Sequence, residues 1–160
     1  MYLTRHTDMG LRLLMYLASE KRELPVVTVA EVSTQFNIPR NHLVKVAGQL
    51  AKEGWIIAVR GRSGGLRLAV APELIKIGRV VSVLEGRKEL IECEQLGCRL
   101  SMACGLRNAL NKGLAAFYAT LDGFTLADII GGNTGEQVSA MHGEFLRFFA
   151  KESSAKESAE

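Results

Sequence analysis

Residues 28–70 read TVAEVSTQFNIPRNHLVKVAGQLAKEGWIIAVRGRSGGLRLAV, from Thr28 to Val70. Thr28 followed three residues later by Glu31 predicts a helix with a capping box, running to about Phe36. Asn37-Ile38-Pro39 reads as a tight turn, because Asn tolerates turn geometry and Pro is favoured where a helix starts. From about Pro39 to Lys52 a further helix is expected, with Leu43, Val46, Ala47 and Leu50 recurring at i, i+3, i+4 and i+7. Gly54 stops it. Trp55 to Val59 is short, apolar and partly β-branched, as a strand is, and Leu66 to Val70 reads as its returning partner. Between them lies Arg60-Gly61-Arg62-Ser63-Gly64-Gly65, basic and rich in glycine. Helix, turn, basic helix and Arg-Gly hairpin follow the order of a winged helix-turn-helix.

The flanks extend this reading. Leu11, Leu14, Met15 and Ala18 outline an amphipathic helix from about Thr7, its expected N-cap, to Ser19. Ile77, Val80, Val81 and Leu84 outline another, ending near Gly86. A long helix is expected from Met102 to about Leu121, with Leu106, Leu110, Leu114, Phe117 and Leu121 along one side. Thr125 caps a short segment through Ile130. Val138, Met141, Phe145, Leu146 and Phe149 suggest one more helix, and the polar Lys151 to Glu160 suggests a disordered end. The expected fold is mainly α. It has a winged helix-turn-helix with a two-stranded wing over residues 1–86 and a loop over 87–101. A long helix with a short successor covers 102–130, and a partly disordered extension covers 131–160.

Charge supports a nucleic-acid partner for the first half. Residues 1–89 hold 14 Lys and Arg against 8 Asp and Glu, whereas residues 90–160 hold 6 against 9. In a helix-turn-helix the second helix enters the major groove and its first turns meet base edges. That places Arg40, Asn41 and His42 at the leading end, where Arg suits guanine and Asn suits adenine. Lys45 and Gln49 lie further along. Arg60, Arg62 and Ser63 sit on the wing, and Thr28 stands at the helix entrance; together these residues form the candidate DNA-facing set.

The chain has three cysteines, Cys93, Cys98 and Cys104, in one short stretch. Four residues separate the first pair and five the second. An odd count cannot close fully into intramolecular disulfides, and gathered thiols suit a soft metal or an iron–sulfur cluster. A structural zinc site, buried thiols or a thiol redox enzyme are the competing readings. Against an enzyme, the sequence has no Cys-x-x-Cys, no nucleophile elbow and no phosphate loop. His6, His42 and His142 are scattered and read as structural or DNA-facing residues. Arg5, Asp8 and Arg12 break the apolar start of the chain, so no targeting segment or membrane span is expected and the cytosol is the expected compartment.

These stretches resemble the winged-helix iron–sulfur regulators, and within them the nitric-oxide-sensing repressors. The matching segments are Leu3-Thr4, Thr7-Asp8, Gly10-Leu11-Arg12, Arg40-Asn41-His42-Leu43-Val44-Lys45, Ala58-Val59-Arg60-Gly61, Gly64-Gly65, Arg67-Leu68, the Cys93–Cys98–Cys104 trio and Thr125-Leu126-Ala127-Asp128. They cover about residues 1–130. The resemblance implies a homodimer on palindromic operator DNA, paired through the long helix. It also implies a [4Fe-4S] cluster (alternatively [2Fe-2S]) held by the three cysteines, with Asp8 from the second subunit the family-style candidate for a fourth ligand, while Glu92 and Glu94 are nearer in sequence. Asp8 and Arg12 would then form the switch, with nitric oxide as the signal. A response to iron–sulfur supply, iron or oxidants is the alternative within the same family. Pro39 departs from the small polar cap common in these repressors. Arg107 stands where a sister branch has a histidine ligand.

Overall fold

The computed structural model describes residues 2–18, 26–61, 64–87, 89–91, 93, 97–100 and 103–157, with side chains described as far as Phe148. Helices α1 (Arg5–Leu17), α2 (Val29–Phe36) and α3 (Arg40–Lys52) precede an antiparallel hairpin of β1 (Ile56–Val59) and β2 (Gly65–Leu68). A 3₁₀ turn (Pro72–Leu74) leads to α4 (Ile77–Glu85), and then come α5 (Gly105–Asp122), α6 (Leu126–Ile129) and α7 (Asn133–Glu157). The fold is mainly α, with a two-stranded wing, as the sequence predicts.

Local chemistry sets the boundaries. Asn37 adopts φ 51°, the left-handed conformation that turns α2 into α3. Gly86 ends α4 in the same way. Thr125 and Asp128 form a complete capping box ahead of α6. The box expected at Thr28 is only half made. Thr28 accepts from the Glu31 N–H at 3.1 Å, but the Glu31 carboxylate turns into the core, where its residue is 1% exposed. Thr4, not Thr7, caps α1. Thr7 is buried and donates instead to Glu85 at 2.5 Å.

The core joins α1, α3 and α4 through Leu13, Leu14, Leu43, Val46, Leu50, Val80 and Val81, all at most 1% exposed. Of the stripe the sequence suggests for α1, Leu14 and Ala18 are buried and Leu11 and Met15 only partly covered; Leu13 and Tyr16, off that stripe, are buried as well, so the inward face is wider and shifted towards them. Gly78 allows α4 to pass against the backbone of α5 at Tyr118 and Asp122, where a Cβ would collide. Gly65 serves the wing similarly: a Cβ there would stand 2.7 Å from the Val27 carbonyl oxygen, because Val27 bridges to Leu66 beside it. Helix α7 starts at Asn133 and its backbone is helical as far as Glu157. It thus enters the segment from Lys151 for which disorder was expected.

Candidate functional site

Helix α3 buries Leu43, Val46, Ala47 and Leu50 and turns Arg40, Asn41, His42, Val44 and Lys45 to solvent. Pro39 stands at its N-cap and makes no side-chain capping bond, so the first N–H groups point outward with the basic leading end. Thr28 is exposed at the start of α2. Its oxygen accepts from Glu31, and the hydroxyl hydrogen remains to donate outward. Arg60 is exposed at the end of β1. Arg62 and Ser63 lie outside the described residues, as do Glu92 and Glu94.

Gln49 is a correction. Its amide donates to the Val83 carbonyl oxygen at 3.1 Å and accepts from His6 Nε2 at 2.7 Å. Both ends are spent tying α3 to α4 and α1, so Gln49 leaves the DNA-facing set. Val44, 58% exposed, stands among the outward polar residues of α3. It lies off the buried stripe, a signal already present in the sequence.

The cysteine loop links α4 to α5. Cys93 is buried, Cys98 exposed and Cys104 half-buried, and all three are free thiols. The Cys98 N–H donates to the Cys93 carbonyl oxygen at 3.0 Å, so these two share one turn. Cys104 is the N-cap residue of α5 and makes no side-chain capping bond. Among the described residues, no three His, Cys, Asp or Glu side chains stand close enough together to hold a metal ion. The donor chemistry, three thiols in one loop, still fits soft iron. The loop is clasped by a bond the sequence does not announce. Arg107 reaches Glu89 through both carboxylate oxygens, at 2.6 and 3.0 Å. The two residues bracket all three cysteines.

Asp8 and Arg12 form an ion pair on the exposed side of α1, the Arg12 Nε–H shared between both Asp8 carboxylate oxygens at 2.9 and 3.0 Å. The Arg12 guanidinium also lies 5.9 Å from the ring centre of Phe36, the last residue of α2. Through Arg12 this pair approaches the end of α2. Nearby, Glu85 accepts from the Thr4 N–H at 2.7 Å and from the hydroxyls of Thr4 and Thr7. Burial pushes its pKa up, but the Thr7 and Thr4 hydrogen bonds and the Arg87 charge outweigh that and hold it below the usual carboxylate value.

The stripe along α5 divides. Leu114 is 5% exposed and is buried within its own chain, whereas Phe117 is half-buried and packs partly against the core. Leu106 is 62% exposed, and Ala109, Gly113 and Ala116 continue the outward face at helical spacing. No described helix is long and apolar enough to cross a membrane.

Residues 3–132 match the family model described as Rrf2, iron-dependent transcriptional regulator. The chain is 44% identical over 133 residues to the HTH-type transcriptional regulator NsrR of Bacillus licheniformis, covering 81% of this chain and 92% of that one. In fold it is similar to CymR (YrzC), the global cysteine regulator of B. subtilis. The TM-score is 0.63 at 22% identity, over 81% of this chain and 95% of that one. It is likewise similar to IscR of T. potens, with TM-score 0.61 and 24% identity over 81% and 86% of the two chains. Helix α7 lies wholly beyond the family match. A winged helix with this α3, followed by the matched core, makes the chain a member of the Rrf2 family of transcriptional regulators, of the NsrR type.

Proposed function

We propose that the chain is a repressor that binds operator DNA as a homodimer and lets go when nitric oxide attacks an iron–sulfur cluster held in its cysteine loop. The observation that carries this reading is the pairing of an exposed basic leading end on α3 with three free thiols in one loop against α5. Cys93, Cys98 and Cys104 would hold the cluster, and Asp8 from a second copy would supply an oxygen donor. When bound, a [4Fe-4S] cluster would offer one iron without a thiolate, open to a diatomic molecule.

The chain's own residues supply the coupling. Asp8 drawn to a second subunit leaves Arg12, which lies over Phe36 at the end of α2. Asp8 returned to Arg12 restores the pair described above. The two arrangements differ in what holds α2 and thus in the posture of the reading helices. Moving a population from 99:1 to 1:99 takes about 5.5 kcal/mol of differential stabilisation. An added metal–ligand bond between subunits is large enough in kind. On this reading Arg40, Asn41 and His42 meet bases, while Thr28, Lys45 and the wing meet backbone. The protein works in the cytosol as a regulator and has no catalytic role.

The test is a gel-shift titration of anaerobically purified protein in cluster-loaded, cluster-free and nitric-oxide-treated forms. Loaded protein should bind operator at least tenfold more tightly than the other two. Equal affinity in all three forms defeats the sensing mechanism. A colourless protein containing zinc and no sulfide defeats the cluster. Unchanged nitric oxide response in Asp8→Ala defeats only the Asp8 role.

A further inference from the structure

His142 is the only buried histidine, at 2% exposed, and it belongs to α7, outside the segment the family shares. Its Nε2 lies 3.0 Å from the carbonyl oxygen of Tyr16 on α1. A carbonyl only accepts, so Nε2 carries the proton. Its Nδ1 stands 3.4 Å from Glu31 Oε1 on α2. That approach attracts only when a second proton lies between nitrogen and carboxylate. The same Oε1 accepts from the Tyr16 hydroxyl at 2.8 Å. The His142 ring also packs on Tyr16 at 3.9 Å between centres, and Tyr16 meets Phe36 edge to face at 5.6 Å. Three helices thus meet at one buried polar point.

The location matters because α2 is short. Eight residues are too few for a helix to persist alone in water, so α2 depends on what it packs against. Its buried residues are Glu31 and Val32. One of its two fully buried side chains is therefore a carboxylate, the one that a complete capping box would have kept at the helix entrance; Val29 and Phe36 pack partly against the core. A buried carboxylate costs free energy unless it is paired, so Glu31 holds α2 in place only while its partners are present.

We propose that His142 is a positioning residue for the DNA-reading helices: from α7 it engages Glu31 and the Tyr16 carbonyl, and so fixes α2 and its exposed Thr28 against α1. Helix α7 is then part of the reading head and not an appendage. The idea rests on the DNA-binding reading for its effect on affinity, but not for its effect on α2 itself.

The experiment uses full-length chains carrying His142→Phe, His142→Gln or His142→Asn. Amide hydrogen exchange is measured without DNA. Affinity is measured on a duplex that the wild type selects from a random pool. His142→Phe keeps a ring against Tyr16 but loses the bond to the Tyr16 carbonyl and the approach of Nδ1 to Glu31. Its amides in α2 and α7 should exchange at least tenfold faster, with α4 and α5 unchanged, and affinity should fall about tenfold. His142→Gln, which retains a donor for the Tyr16 carbonyl, should recover part of both losses. His142→Asn replaces the phenylalanine variant if that one does not fold, with the same result expected. Faster exchange confined to α7, with wild-type α2 exchange and affinity, overturns the proposal. So does a uniform rise across all helices, which marks a merely structural role. A wild type that selects no duplex defeats the DNA reading and leaves the exchange result to decide this one.

Discussion

At the residue scale, neighbours decide what each polar side chain does. Arg40 and Gln49 lie on the same helix, yet one is exposed to solvent and the other is spent inside the protein. Arg40→Ala should cost about 1–3 kcal/mol of operator affinity and relax preference at one base pair. Gln49→Ala should leave base preference intact and lower folding stability by about 1–3 kcal/mol, because His6 and the Val83 carbonyl lose their partner. Denaturant titration together with selection from a random duplex pool separates the two outcomes. Glu85 gives a pH prediction. Its folded pKa lies below the ordinary 4.5, so its stabilisation is complete above that value and is lost as pH falls through the lower folded value. Urea melts from pH 7 down to pH 3 should show the wild type weakening at the acid end. Thr7→Val, which removes a donor to Glu85, should flatten that loss.

At the element scale, α5 has two faces with different duties. Leu114 faces its own core, whereas Gly113 has nothing within 4 Å of where a Cβ would stand. Gly113→Glu should therefore split the proposed dimer while leaving the monomer folded. Leu114→Asp should destabilise the chain, since it buries a carboxylate where an apolar side chain packs. Sedimentation and circular dichroism report these outcomes independently. A wild-type monomer at micromolar concentration with operator present would exclude the dimer. The apolar repeat on α5 was legible in the sequence, but its division between core and outer face was not. Periodicity gives the angle between residues on a helix and says nothing about what lies opposite.

At the scale of the whole molecule, the cysteine loop and the reading head are linked through α1 and α4. Replacing Cys93, Cys98 or Cys104 individually by Ala should each abolish a stable cluster, measured as iron and sulfide after anaerobic reconstitution. A variant that keeps a full complement removes that residue from the ligand set. The clasp between Arg107 and Glu89 should matter to the same measurement. Arg107→Ala should slow cluster uptake severalfold, and its loop amides should exchange faster even without iron.

The sequence by itself determined the helices, the turn at Asn37, the wing and the segregation of three thiols in one loop. These features depend on residues close together in the chain, where spacing, caps and glycines act locally. The NsrR-type resemblance was legible for the same reason, since its motifs are short and contiguous. Tertiary structure alone decided that Gln49 points inward, that Glu31 abandons its cap for Tyr16 and His142, and that Arg107 clasps Glu89. Each of these turns on a buried or partly buried polar group finding a partner. Such partners lie up to 126 positions away in the chain, beyond the reach of any local pattern.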